Sequence, residues 1–125
     1  MATVSPLMAY TLVIAQSQFA AEAMQKALQQ RGHFVVAATD FDQVRKSCSN
    51  LDFDLVVIGD AISPRIKKAL AIELREYCGK APLLEICKSE PCIPEADYVL
   101  KSDGYEALSQ RIHQILLRGA TSRAG

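Results

Sequence analysis

The sequence has no excess of either charge: fourteen basic residues face fourteen acidic ones, for a formal net charge of zero. A general electrostatic footprint for nucleic acid or for an anionic membrane needs a basic surplus, so composition points to neither as a partner. Also lacking is any apolar run of about 20 residues, the length that crosses a bilayer. The apolar stretch near the start, Leu7 to Ala15, is interrupted by Tyr10 and Thr11 and has no Lys or Arg before it, unlike a secretory leader. Residues 1–9 are therefore expected to be a disordered lead-in to a strand, and the protein to be cytoplasmic.

Cysteine is scarce and unpaired in sequence. Cys48, Cys78, Cys87 and Cys92 form no CxxC. Cys87 and Cys92 bracket the segment Lys-Ser-Glu-Pro, a spacing some metal sites use, but no His or second Cys pair stands near to complete a tetrahedral set. Reduced, mostly buried thiols are the expectation. No GxGxxG, P-loop, GxSxG or HExxH occurs, so nothing argues for nucleotide binding or hydrolysis, and no cofactor or metal is expected. His33 and His113 lack sequence companions that would make them ligands or bases, and both read as ordinary surface or boundary residues.

What is present is an alternation. Tyr10 to Ala15, Phe34 to Ala38, Leu55 to Ile58 and Leu83 to Cys87 are short, nearly continuous apolar runs, and a shorter one follows at Tyr98 to Leu100. Strands covered on both faces look like this, because neither face alternates with water. Helical stripes separate them. Ser17 caps a stripe of Ala20, Met24, Ala27 and Leu28 that ends at Gly32. Phe41, Val44, Cys48 and Leu51 repeat after Asp40. Ser63-Pro64 opens the stripe Ile66, Leu70, Leu74 and Tyr77, which Gly79 ends. Tyr105, Leu108, Ile112 and Ile115 form the last, opened by Ser102 or Asp103 and stopped at Gly119. The order predicts one α/β domain over residues 10–118, with a flexible tail at 119–125. Its functional groups should gather at the carboxyl ends of the strands.

The strand ends resemble those of the receiver domains of two-component response regulators. Leu12-Val13-Ile14-Ala15-Gln16 is similar to the family's first strand, which runs into a pair of acids. Asp54-Leu55-Val56-Val57-Ile58-Gly59 is similar to the third, whose end carries the phosphoacceptor aspartate. Pro82-Leu83-Leu84-Glu85-Ile86-Cys87 resembles the fourth, which ends in Thr or Ser, and Ala96-Asp97-Tyr98-Val99-Leu100-Lys101-Ser102 the segment with the family's lysine. The resemblance implies a flavodoxin-like, doubly wound, five-stranded parallel sheet of order 2-1-3-4-5 with helices on both faces. Two prolines, Pro91 and Pro94, in the short segment 88–96 predict that the helix between the fourth and fifth strands is missing or shortened.

The chemistry the resemblance implies needs two acids and an acceptor carboxylate around Mg²⁺, a hydroxyl and a lysine. Here the acid pair falls on Ala15-Gln16, the acceptor on Gly59 and the hydroxyl on Cys87, and Lys101 alone matches. Asp60, one residue past the acceptor position, either pairs with Lys101, faces solvent or accepts the phosphoryl group itself. The reading that follows is a non-enzymatic pseudo-receiver, a phosphorylation-independent interaction module. Its partner would be a protein: a histidine kinase, an output protein or a second copy, so that a homodimer stays open. Tyr98, at the family's aromatic switch position, and Tyr105 are the candidate interaction face. Two alternatives are a single-domain regulator phosphorylated at Asp60, and a thiol-based redox or ligand sensor at Cys87 and Cys92 beside Lys88 and Lys101.

Overall fold

Five short strands carry almost no side chain that water would stabilise. They are β1 (Tyr10–Ile14), β2 (Phe34–Ala38), β3 (Leu55–Ile58), β4 (Leu83–Cys87) and β5 (Tyr98–Lys101). Every residue of β3 and β4 is buried. The computed structural model describes residues 9–124, and in it the strands form one parallel sheet of order β2-β1-β3-β4-β5. Four helices cover it: α1 (Gln18–Gln29), α2 (Phe41–Asn50), α3 (Pro64–Tyr77) and α4 (Gly104–Ala124). Among the described residues no helix is long and apolar enough to cross a membrane.

The helix starts follow their caps. Ser17 Oγ accepts from the Ala20 N–H (3.1 Å), Asp40 Oδ1 from the Gln43 N–H (2.8 Å), and Ser63 Oγ from the Ile66 N–H (3.3 Å). Pro64 occupies the first turn of α3, where its missing N–H costs nothing. Gly32 follows α1 at φ 92°, a conformation that only glycine adopts cheaply.

The sheet separates two cores. On one side α2 and α3 close over Leu12, Ile14, Val56, Ile58 and Leu83. On the other α1 and α4 close over Val13, Leu55, Val57, Leu84 and Ile86. Segment 88–97, between β4 and β5, holds no helix, as Pro91 and Pro94 predict.

Several expectations need correction. The buried residues of α3 are Lys67, Leu70, Ala71 and Leu74, while Ile66 and Tyr77 are 42% and 44% exposed. The stripe is rotated by one position because Lys67 has a carboxylate partner inside the sheet. Helix α4 runs through Gly119, its expected stop, to Ala124. Of the lead-in, residues 1–8 lie outside the described residues, whereas Ala9 is buried and its carbonyl accepts from the Phe34 N–H (3.0 Å). Cys48 and Cys78 are joined in a disulfide, with Cα atoms 5.0 Å apart, because α2 and α3 lie side by side and their ends meet. Cys87 and Cys92 remain free thiols.

Candidate functional site

Parallel strands all end at one rim, so the carboxyl ends of β1 and β3 bring residues 15–16 and 59–61 together. They border a cavity of about 130 Å³ whose walls are Val13, Met24, Val57, Ile86 and Leu108. Ala15, Gln16, Gly59, Asp60, Ser102 and Tyr105 also line it. Four of the six sequence-selected site positions thus meet around one space, together with Tyr105.

Gly59 continues the β1–β3 ladder, its N–H donating to Ile14 O at 2.9 Å. A Cβ built there would stand 3.2 Å from that same oxygen and 3.7 Å from Ala15 Cα. The strand end is therefore closed up against β1 to a degree that suits a residue without a side chain. Among the residues lining this cavity the one carboxylate is Asp60, in the turn after β3 and partly exposed, with Gln16 as a neighbouring polar side chain. An Mg²⁺ ion of the receiver type needs several oxygen ligands in octahedral array, and these residues do not fit it. Among the described residues no group of three or more His, Cys, Asp or Glu side chains is placed to hold a metal.

The other two positions stay apart from this cavity. Cys87 pairs with Lys101 across β4 and β5, but its thiol is buried. Lys101 is exposed, and among the described residues neither it nor Asp60 forms an ion pair, so the Asp60–Lys101 bridge does not form. Tyr98 and Tyr105 are 38% and 42% exposed.

A different polar centre lies within β4, and the sequence alone did not reveal it. Glu85, in the middle of β4, is fully buried, and its carboxylate accepts from Lys67 Nζ (2.9 Å), the Cys92 N–H (2.9 Å) and the Ile93 N–H (3.0 Å). Lys67 Nζ also donates to Ile86 O at 2.8 Å. Burial alone would push the Glu85 carboxyl up, but the Lys67 hydrogen bond and the two backbone donors outweigh it and hold it below the usual carboxylate range. The network pins the segment that replaces a helix. A charged residue in an otherwise apolar strand was its only sequence signal.

At the opposite end of the sheet His33 and His113 are partners, contrary to expectation. His33 is buried, its Nδ1 accepts from the Ala9 N–H (3.4 Å), and its Nε2 lies 2.7 Å from His113 Nδ1. The Ala9 donor leaves the His33 proton on Nε2, directed at His113. Burial, then His113, then Arg31 hold the His33 pKa below its ordinary value. A base that binds protons less readily folded than unfolded makes stability fall as pH drops below the unfolded value of about 6.5. Urea midpoints should therefore be flat above pH about 7 and decline toward the lowered His33 value. The decline should vanish in His33→Gln; an unchanged slope in that variant would refute the assignment.

No protein-family model and no curated protein matches this sequence. Solved structures do match. A CheY-like receiver domain from Methylobacillus flagellatus superposes at a TM-score of 0.73 with 17% identity, covering 88% of this chain and 99% of that one. The chain has the receiver fold. A response regulator from Thermotoga maritima gives a TM-score of 0.71 at 16% identity, over 88% of this chain and 98% of that one. An orphan response regulator of H. pylori gives 0.66 at 16% identity, over 86% and 96%.

Proposed function

We propose that this protein is a receiver-type interaction module of two-component-type signalling that works without phosphorylation. The observation that carries the reading is Gly59 at the acceptor position, with Ile14 O only 3.2 Å from where a side chain would begin. Without an acceptor carboxylate no acyl phosphate forms at that position, and without the acid pair no Mg²⁺ neutralises an incoming phosphoryl group. Such a module is not an enzyme and acts by binding protein partners: a histidine kinase, an output protein or a second copy. Fold alone does not assign this role, which rests on the strand-end residues.

The alternative acceptor, Asp60, borders the same cavity, but no other residue lining that cavity carries a carboxylate. The thiol alternative is weakened by the burial of Cys87, since a sensing thiol must be reached by its oxidant. Intact-mass analysis after acetyl phosphate and Mg²⁺ is expected to show no phosphoryl adduct. An adduct lost in Asp60→Asn would overturn the reading in favour of a phosphorylated regulator.

A further inference from the structure

We propose that the cavity at the carboxyl ends of β1 and β3 binds a small arylalkyl amine, its ring in the apolar interior and its ammonium on Asp60. This deepens the phosphate-independent reading, on which it rests, by giving the rim carboxylate a ligand in place of a phosphoryl group.

The cavity lies where the topology opens a crevice. Strands β2 and β3 flank β1, and α1 and α2 cover opposite faces of the sheet, so the chain diverges beyond the β1 and β3 ends. Ala15 and Gly59 bring only a methyl group and a hydrogen to those ends, which leaves space beside them. The walls are apolar and buried: Val13, Val57 and Ile86 from the sheet, Met24 from α1 and Leu108 from α4. An apolar cavity of about 150 Å³ holds benzene. At about 130 Å³ this one takes a single ring, with a short substituent leading out.

Toward solvent the lining turns polar, with Gln16, Asp60, Ser102 and Tyr105. Among the described residues the side chains of Gln16, Asp60 and Ser102 make no hydrogen bond or ion pair within the chain. An amide oxygen, a carboxylate and a hydroxyl are thus open as acceptors, and a primary ammonium has three donors to offer. The sign of the charge agrees. A second cavity of about 380 Å³, toward α2 and α3, shares Ile14, Ala15, Gln16 and Ala61 with the first and adds Asp40. Among the described residues no Lys, Arg or His lines either one. Such a surface attracts a cation and repels an anion. A bare metal ion would leave the apolar walls unused, and a hydrocarbon would leave the carboxylate unused. Apolar walls with a few convergent polar groups suit a molecule that has both parts.

The test is an amide NMR titration of the full chain with 2-phenylethylamine. Its neutral counterpart is 2-phenylethanol, and n-butylamine is the ringless one. The arylamine should move the Ala15, Gln16, Gly59 and Tyr105 resonances saturably, with Kd about 1 mM or tighter. The alcohol and butylamine should each bind roughly tenfold more weakly, one for want of the charge and the other of the ring. Asp60→Asn should lower the arylamine to the affinity of the alcohol and leave the alcohol unchanged, a split that a merely structural role would not produce. Ala20→Leu, at a partly exposed position of α1 that lines the cavity, should fill it and abolish binding of both. Circular dichroism checks that each variant folds. No saturable shift, equal affinity for amine and alcohol, an ineffective Asp60→Asn or binding that survives Ala20→Leu would overturn the proposal. So would butylamine binding as tightly as the arylamine, since a straight stem is what a lysine side chain offers. Phosphoryl uptake is a separate readout by mass. No binding and no adduct rejects this site alone, and binding with an adduct rejects phosphate independence alone.

Discussion

Lys67→Met is expected to destabilise the domain by about 3 to 5 kcal/mol, a large fraction of the 5 to 15 kcal/mol typical of such domains. The reason is not that the ion pair is worth that much over water. Lys67 and Glu85 are 2% and 0% exposed, and taking both charges out of water has already cost most of what their attraction returns. Removing the ammonium leaves the carboxylate in the core with only the Cys92 and Ile93 N–H groups for company. Adding Glu85→Gln should recover a good part of the loss, because a neutral amide oxygen can still accept from those two donors. Urea unfolding of the single and double variants measures the coupling directly. A single variant within about 1 kcal/mol of wild type would show that the pair is solvated. The same carboxylate sets a pH dependence of the same sign as that of His33, in a more acidic window. Its pKa is held down in the fold, so its contribution is complete above the unfolded value of about 4.3 and is lost as pH falls through the lowered one.

This network also shows which features were legible in the sequence. Strand positions, helix starts and the missing helix follow from local signals: apolar runs, Ser17, Asp40 and Ser63 as caps, and prolines at 91 and 94, whereas the order of the strands in the sheet was implied by the family resemblance. Such signals act within a few residues of chain. The site positions on the rim were legible because parallel strands deliver their ends to one place, which brought Ala15, Gln16, Gly59 and Asp60 together. Pairings between distant segments were not. Lys67 with Glu85, His33 with His113, and Cys48 with Cys78 are separated by 18, 80 and 30 residues, and each depends on how helices roll against the sheet. The roll of α3 is the instructive case. Apolarity alone favours Ile66 inside, but Ile66 outside costs less than Lys67 without its carboxylate, so the charged residue sets the face.

Reduction of the Cys48–Cys78 disulfide should lower stability by about 3 to 4 kcal/mol and the melting temperature on the order of 10 °C. The bond closes a loop with a sequence separation of 30, and the estimate is the chain entropy that such a loop removes from the unfolded state. It joins the end of α2 to the C-cap of α3, two helices already held by Arg45 and Glu73 at 2.8 and 3.2 Å, with Arg45 also lying over the Tyr77 ring. Those contacts persist when the bond is cut, so the folded state should keep its shape and the effect should fall on the unfolded one. The reduced wild type and Cys48→Ser/Cys78→Ser should therefore melt together, both below the oxidised protein, and the double variant should ignore reductant. Alkylation of the denatured, unreduced protein should modify two thiols, Cys87 and Cys92. Four modified thiols, or coincident melts with and without reductant, would mean that Cys48 and Cys78 only pack against each other, as the reduced interior expected from the sequence would have it.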